Sequence, residues 1–381
     1  MYSIAIKMLF ADRLKYYGLI LGISFAAMLI AQQASILVGL TEQTGAFIRD
    51  SAQADLWIMD SQVRFSQDAL PIRDMVLQQV RGVSGVQWAV PLRQGFMKGQ
   101  MTDGTRFSLI LVGIDDATLI GGPPFMVNGD RLDIRSDRAV FIDADAPDKL
   151  RMKRGGGRSM TVGDRFSVNE HDAKIVGSYR GRKSFFWEPV MYTTYSRALS
   201  FAPMERNLMS FVLVKVDPGE SIAKVAQEIE SRTGLKARTN SEFIHLTARY
   251  ITTATGILIN FGTAVVLGII IGLLGAGQTF YNFTLDNLRY YGALKAMGVT
   301  NKTLTKMVML QGVVVAAIGY GLGVGIAVVM GVLLIKGGLA FSMIWQIPLF
   351  TAFSILTICL LTSIISLQKV YKLEPAVVFK G

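Results

Sequence analysis

The sequence predicts an α-helical membrane protein with four transmembrane helices plus a large extracytoplasmic α+β domain between the first and second of them. Three observations carry this. Four apolar runs, Gly18–Leu40, Gly256–Phe280, Val308–Ile335 and Ile347–Leu367, each reach the ~20 residues that a helix needs to cross a ~30 Å hydrocarbon layer. The 381 residues are only 18% charged, against ~25% in soluble domains, and the mean hydropathy is +0.40. The net charge of +11 is also unevenly placed. Lys7, Arg13, Lys15, Arg289, Lys295, Lys302, Lys306, Lys369, Lys372 and Lys380 stand in three short segments against Asp12, Asp286 and Glu374, while residues 41–250 are close to balanced. That excess is the mark of positive-inside topology, and it excludes a nucleic-acid footprint.

Met1–Tyr17 mixes Lys7, Arg13 and Lys15 with Ile4, Ile6, Met8, Leu9, Phe10 and Leu14, the pattern of an interfacial helix that leads into a span, with Tyr16 and Tyr17 at headgroup depth. The Gly18–Leu40 run is longer than the ~7–15 residues of a signal-peptide core, so it is expected to stay in place as the first span. Gln32 and Gln33 in its outer half suit hydrogen bonding between helices.

Residues 41–250 are expected on the far side of the membrane. Thr41–Ala52 continues the first helix; a strand (Ala54–Met59), a helix (Pro71–Val83) and strands Val86–Met97 and Thr105–Ile114 follow. A similar set returns far downstream as strand Leu208–Val216, helix Ser221–Arg232 and strand Leu235–Arg238, and two such halves close into one α+β layer. Asp115–Pro203 reads as an inserted β-rich lobe, with strands Ala139–Ile142, Arg165–Val168, Lys174–Tyr179 and Val190–Thr193. Ser241–Thr255 is a helix that feeds the second span.

Between the second and third spans, Asp286–Lys306 turns around in water through a helical segment. Leu288, Tyr291, Leu294 and Met297 form one apolar stripe at three-to-four spacing, expected to bury on a soluble partner. Gly298 stands where a helix would stop, and Thr300-Asn301 where the next would begin. A short loop with Lys336 and Trp345 joins the last two spans. The basic segments then fall on one side: both termini and residues 281–306 inside, 41–250 and 336–346 outside.

Chemistry-bearing motifs are few. Phosphate-loop, dinucleotide, zinc-protease and nucleophile-elbow patterns are missing, and one cysteine (Cys359) with two distant histidines offers neither a disulfide nor zinc-ligand spacing. Gly155-Gly156-Gly157-Arg158-Ser159 lacks the lysine and helix of a phosphate cradle and reads as a β-turn. No strongly ionisable residue lies within the spans, which speaks against a proton- or ion-coupled carrier and for energy arriving from outside the membrane. Gly268 and Gly272 in the second span, and Gly319, Gly321, Gly323 and Gly325 in the third, suit close helix packing within or between chains. Arg180, Arg182 and Lys183, followed by Phe185, Phe186 and Trp187, form either an exposed hairpin that binds a partner or amphiphile, or a solvated turn entering a core strand.

One stretch carries a resemblance. Arg289-x-x-Gly292-Ala293-Leu294-Lys295-Ala296-Met297-Gly298 resembles the coupling segment of the permease subunits of MacB/FtsX/LolC-type ABC transporters, the mechanotransmission group, and Leu373-Glu374-Pro375-Ala376 resembles that group's C-terminal close. Ala54-Asp55-Leu56-Trp57, Glu242-Phe243-Ile244 and Leu294-Lys295-Ala296-Met297-Gly298 look most like DevC-type members. Tyr291 stands where many members carry an acid, and Gln311 where a glutamate often opens the third span.

The resemblance implies an elbow helix and first span in 1–40, and a periplasmic domain in 41–250 with a porter-like layer (53–114 and 205–240) around a lobe (115–204). The second span (251–285), a cytoplasmic coupling helix region (286–306), the third span (307–335), an outer loop (336–346), the fourth span (347–368) and a cytoplasmic tail (369–381) follow. It further implies a homodimer in the bacterial inner membrane. A separate ABC ATPase, which binds the ATP and magnesium, would dock on Arg289, Tyr291, Leu294, Lys295, Met297 and Gly298. This chain would then be no enzyme and hold no cofactor. DevC-type members work with a periplasmic membrane-fusion adaptor and an outer-membrane channel to export lipid-like cargo. An FtsX-like alternative is a non-transporting regulator whose periplasmic domain activates a cell-wall hydrolase.

Overall fold

The computed structural model describes residues 2–51, 53–146, 150–152, 157–186, 188–202 and 208–371. They form two units, one within 1–40 and 255–381, the other Thr41–Ala254.

In chain order, α1 (Tyr2–Ala11) breaks at Asp12 and gives way to α2 (Arg13–Thr44). No proline interrupts α2, and the short α3 (Ala46–Asp50) follows it. Strand β1 (Leu56–Met59) is buried on both faces, because its alternate residues enter two different cores. Leu56 and Ile58 pack with Val212, Val214, Val80 and Ile229, while Trp57 and Met59 pack with Phe47, Phe211, Leu213 and Phe243. The first core is covered by α4 (Met75–Arg81) and, later in the chain, by α6 (Ile222–Thr233); the second by α3 and α7 (Asn240–Ala254). Asn240 fixes the start of α7 to β1, accepting from the Trp57 indole at 2.6 Å and donating to the Ala54 carbonyl at 2.8 Å.

The long strand β2 (Val86–Met101) and β3 (Arg106–Ile114) are followed by β4 (Phe125–Asn128), a 3₁₀ turn (Arg131–Arg135), β5 (Ala139–Asp143), β6 (Arg165–Val168), β7 (His171–Arg180), β8 (Val190–Thr194), α5 (Tyr195–Phe201), β9 (Phe211–Val216) and β10 (Lys236–Thr239). The described strands run in the order β10-β1-β9-β2-β3-β8-β5-β7-β4, and β6 pairs with both β2 and β7. That double pairing closes β2-β3-β8-β5-β7-β6 into a barrel. Its interior holds Met97, Met101, Leu109, Leu111, Val140, Ile142, Phe166, Val168, Ile175 and Met191, with Ala198 and Phe201 of α5 joining this core.

Layer and barrel share β2, which pairs with β9 up to Leu92 and with β3 from Arg93 onward. Residue 114, expected from the sequence to end the layer, therefore does not separate the two: β3 runs between β2 and β8 as a barrel wall. Ser210 secures the corner. Its hydroxyl accepts from the Arg93 guanidinium at 3.0 Å and the Gln94 amide at 2.9 Å, and donates to the Gln94 carbonyl at 3.0 Å. Periodicity missed β4 and α5, and β6 and β7 prove to be one tight hairpin, with Asn169 and Glu170 both at positive φ (46° and 71°).

The chain returns through α8 (Ile257–Asp286), α9 (Leu288–Ala296), α10 (Asn301–Lys336) and α11 (Gln346–Tyr371). Among the described residues, four helices are long and apolar enough to cross a membrane: α2, α8, α10 and α11. They pack around Ile23, Ala26, Ala27, Ile30, Ala276, Phe280, Val315, Ile355 and Ile358.

Candidate functional site

Helix α9 is the one polar-faced helix between two apolar ones, and its two sides have different fates. Tyr291 is fully buried and Leu294 nearly so, in a cluster with Ala5 of α1, Leu304, Met307 and Val308 of α10 and Leu367 of α11; Leu288 packs against its edge. The expectation that this stripe buries on a separate protein is thus corrected for Tyr291 and Leu294. Helical periodicity puts them on one side, and this chain's own helices cover that side.

Behind Tyr291 lies Gln311, also fully buried. Its amide nitrogen donates to the Ala5 carbonyl at 2.7 Å, and its amide oxygen accepts from the Tyr291 hydroxyl at 3.5 Å. An amide meets both demands, whereas a carboxylate offers no proton to a carbonyl. Burial pushes the Tyr291 phenol up to about 12, the bond to Gln311 opposing the rise, so it remains a donor at neutral pH.

The outward side of α9 carries Arg289, Tyr290, the half-buried Ala293, and Ala296, ending in Met297 just past the helix. Tyr290 is 63% exposed and Met297 73% exposed, large apolar groups seven residues apart. Of the predicted coupling residues, then, Arg289 and Met297 lie on the surface. Lys295 is tied down, its ammonium donating to the Tyr371 carbonyl at the end of α11 at 3.2 Å. Gly298 takes φ +85° and turns the chain out of α9, its amide donating to the Lys295 carbonyl at 3.0 Å. Tyr290 was missed because the residue beside a stripe looks like its polar flank.

The four glycines Gly268, Gly272, Gly319 and Gly323 all face α2. A Cβ on Gly268 would press on Ile30, on Gly272 would reach Ala26 at 3.0 Å, on Gly319 would overlap Ile23, and on Gly323 would overlap the Ser24 carbonyl. They seat α2 against α8 and α10 within one chain, the first of the two packings open to them. Gly321 and Gly325 have open space where a side chain would go, and with Leu322, Ile326, Val329 and Met330 they line a shallow groove.

In the sheet unit, the basic-aromatic segment is largely engaged. Arg180 pairs with Asp145 at 3.4 Å, and the Arg182 guanidinium with Asp50 at 2.6 Å. Lys183 is exposed and acts electrostatically on Asp143. Burial raises the Asp143 carboxyl above its ordinary value, repulsion from Asp145 and Asp50 adds to this, and the Asp145 amide and Lys183 oppose it. The Phe185 and Phe186 rings meet edge to face at 5.3 Å, and Phe186 begins an aromatic column. Phe65 stacks on Phe186 at 5.9 Å and on Tyr250 at 5.1 Å, Phe96 meets Phe186 edge-on, and Arg64 lies over Tyr250 at 5.0 Å. Trp187 lies outside the described residues. Arg64, Phe65, Phe96 and Tyr250 come from three separate stretches, and no local pattern joins them.

Helices long and apolar enough to cross a membrane, with a large mixed α+β unit inserted between the first and second, are the features the family comparisons meet. The model of the MacB-like periplasmic core domain matches residues 18–232, and that of the FtsX-like permease C-terminal region matches 262–375. The chain belongs to the MacB/FtsX family, the permeases of ABC transporters. Among solved structures, the extracellular domain of the noncanonic ABC-type transporter YknZ from Gram-positive bacteria is 16% identical, with a TM-score of 0.35, covering 49% of this chain and 98% of that one. The periplasmic region of MacB from Actinobacillus actinomycetemcomitans is 13% identical, with a TM-score of 0.36, covering 51% and 92%. A domain of a putative permease from Porphyromonas gingivalis is 16% identical, with a TM-score of 0.32, covering 49% and 89%. No curated protein matches the sequence.

Proposed function

We propose that this chain is the membrane subunit of an ATP-driven exporter of the DevC type, moving a lipid-like or amphiphilic cargo. The observation that carries the reading is the exposed face of α9, where Arg289, Tyr290 and Met297 form a compact cationic and apolar surface between two apolar helices. A separate ATPase docks there and supplies ATP and magnesium; this chain itself catalyses nothing. The permease works as a homodimer in the inner membrane, with both termini cytoplasmic and residues 41–250 periplasmic. The open Gly321–Gly325 face of α10 suits the second copy better than the glycines already filled by α2. The chain leaves the helical unit at Leu40 and returns at Thr255, so ATPase closure reaches the sheet unit along these two crossings. There the Phe65–Phe186 column and Lys183 offer a contact for cargo or for a membrane-fusion adaptor that leads to an outer-membrane channel.

The test is an affinity pull-down of the detergent-solubilised chain from native membranes, with partners identified by mass spectrometry. An ATPase arriving with an adaptor supports the exporter. An ATPase with a peptidoglycan hydrolase and no adaptor replaces it with the FtsX-like regulator.

A further inference from the structure

At the corner where α1 meets α2, one side is used by the protein and the other is not. Ala5 and Leu9 are buried against the helical unit, and the Ala5 carbonyl is held by Gln311. The other sides of α1 leave Ile4 and Phe10 partly open, 44% and 45% exposed. Leu14 (83% exposed), Tyr17, Leu21 and Phe25 continue this apolar surface along α2 at spacings of three and four, so they share one stripe. On a helix long and apolar enough to span, such a stripe faces acyl chains.

The stripe ends in a ring cluster and two cations. The Phe10 and Tyr16 rings lie 4.7 Å apart, Tyr16 and Tyr17 5.6 Å apart, an aromatic knot of the kind found at headgroup depth. Lys15 is taken, paired with Asp12 at 3.0 Å and with Asp286. This one ammonium offsets half the charge of the two acids, and with Lys7 and Arg13 added the corner is net positive. Lys7 and Arg13 are both exposed, and neither has an acidic partner among the described residues. Two unpaired cations beside interfacial aromatics, at the end of a lipid-facing stripe, select an anion carried on acyl chains.

We propose that the α1–α2 corner binds the headgroup of an anionic phospholipid. Lys7 and Arg13 hold the phosphate, and Phe10, Leu14 and Tyr17 lie along the glycerol and upper acyl chains. The site rests on the reading that α2 spans a membrane. It goes further by giving the elbow a lipid preference, so that the seat of α1, and through Gln311 the seat of α9, depends on membrane composition.

The full chain, reconstituted into nanodiscs of phosphatidylcholine with or without phosphatidylglycerol, is then released and its retained lipids counted by native mass spectrometry. The expected result is a preference for phosphatidylglycerol of roughly thirty-fold, as two cations at a charged surface supply. The preference is lost in Lys7→Gln/Arg13→Gln and kept in Lys7→Arg/Arg13→Lys and in Lys302→Gln/Lys306→Gln, which removes two other exposed cations of the helical unit. Equal retention of both lipids by the unaltered chain overturns the proposal, and so does an equal loss in the Lys302/Lys306 variant. Failure to enter nanodiscs of either composition overturns the spanning reading along with it; insertion without lipid preference overturns only the headgroup site.

Discussion

Gln311 stands between Tyr291 and Ala5, accepting from the phenol with one amide atom and donating to the backbone carbonyl with the other. Through this one side chain, α10 holds both α9 and α1. The contact links the helix proposed to meet the ATPase to the helix proposed to lie in the headgroups.

Replacing Gln311 by Leu leaves the Tyr291 hydroxyl unsatisfied in a buried place and takes from the Ala5 carbonyl the bond it accepts beyond its own helix, at a cost of about 1–3 kcal/mol. The purified chain should melt roughly 2–6 °C lower. Tyr291→Phe should cost less, because its 3.5 Å bond is at the limit of a hydrogen bond. Differential scanning fluorimetry of the two variants checks the order; equal shifts would remove Gln311 from its bridging role.

The two sides of α9 should separate in function. Tyr290→Asp/Met297→Asp places charge on the exposed face and should abolish ATPase co-purification with the melting temperature unchanged. Leu294→Asp buries a carboxylate among Leu304, Met307 and Val308, and should fail by losing stability first. Co-purification and melting curves, measured on both, distinguish a docking face from a core face.

Asp143 gives a pH dependence of definite sign. Its folded-state pKa is raised above its ordinary value by burial, so its contribution favours the fold at acid pH and is lost as pH rises through the folded value. Asp143→Asn keeps an acceptor for the Asp145 amide and removes the buried charge. The variant should melt higher by a few degrees at neutral pH, with the gap closing toward pH ~4. A constant gap at all pH values would mean that charge is not the cause.

Gly323→Val should drive a side chain into the Ser24 carbonyl and Ala27, prising α2 from α10, while Gly321→Val meets open space. The first should reduce the yield of folded chain several-fold, the overpacking cost being ~1–3 kcal/mol or more. The second should leave folding intact and weaken self-association. Size-exclusion chromatography with light scattering reads both.

The apolar helices were legible because length and composition alone define them, and β1, α4, α6 and β9 because their apolar spacing repeats locally. Barrel closure was not. It depends on β6 meeting β2 at Gly99–Val168 and β7 at Arg165–Lys174, and no local pattern encodes a second pairing partner. The α9 stripe failed differently. Periodicity showed that Leu288, Tyr291 and Leu294 share a side, but what covers a side is decided by tertiary neighbours, here Ala5 and Leu367 from distant parts of the chain. The aromatic column was invisible for the same reason, since Phe65, Phe96, Phe186 and Tyr250 are brought together only by the fold.

The shared strand β2 has a consequence for how this protein is dissected. A linker between modules is a place to cut, and layer and barrel have none on this side: one backbone belongs to both sheets, with Arg93, Gln94 and Ser210 buried at the bend. A deletion begun at residue 115 would remove four of the barrel's walls and strand two, leaving Leu109, Leu111 and Met97 facing water. Layer and barrel should therefore melt together, as a single cooperative unit, and swapping the barrel between relatives requires a graft that replaces β2 from its bend onward.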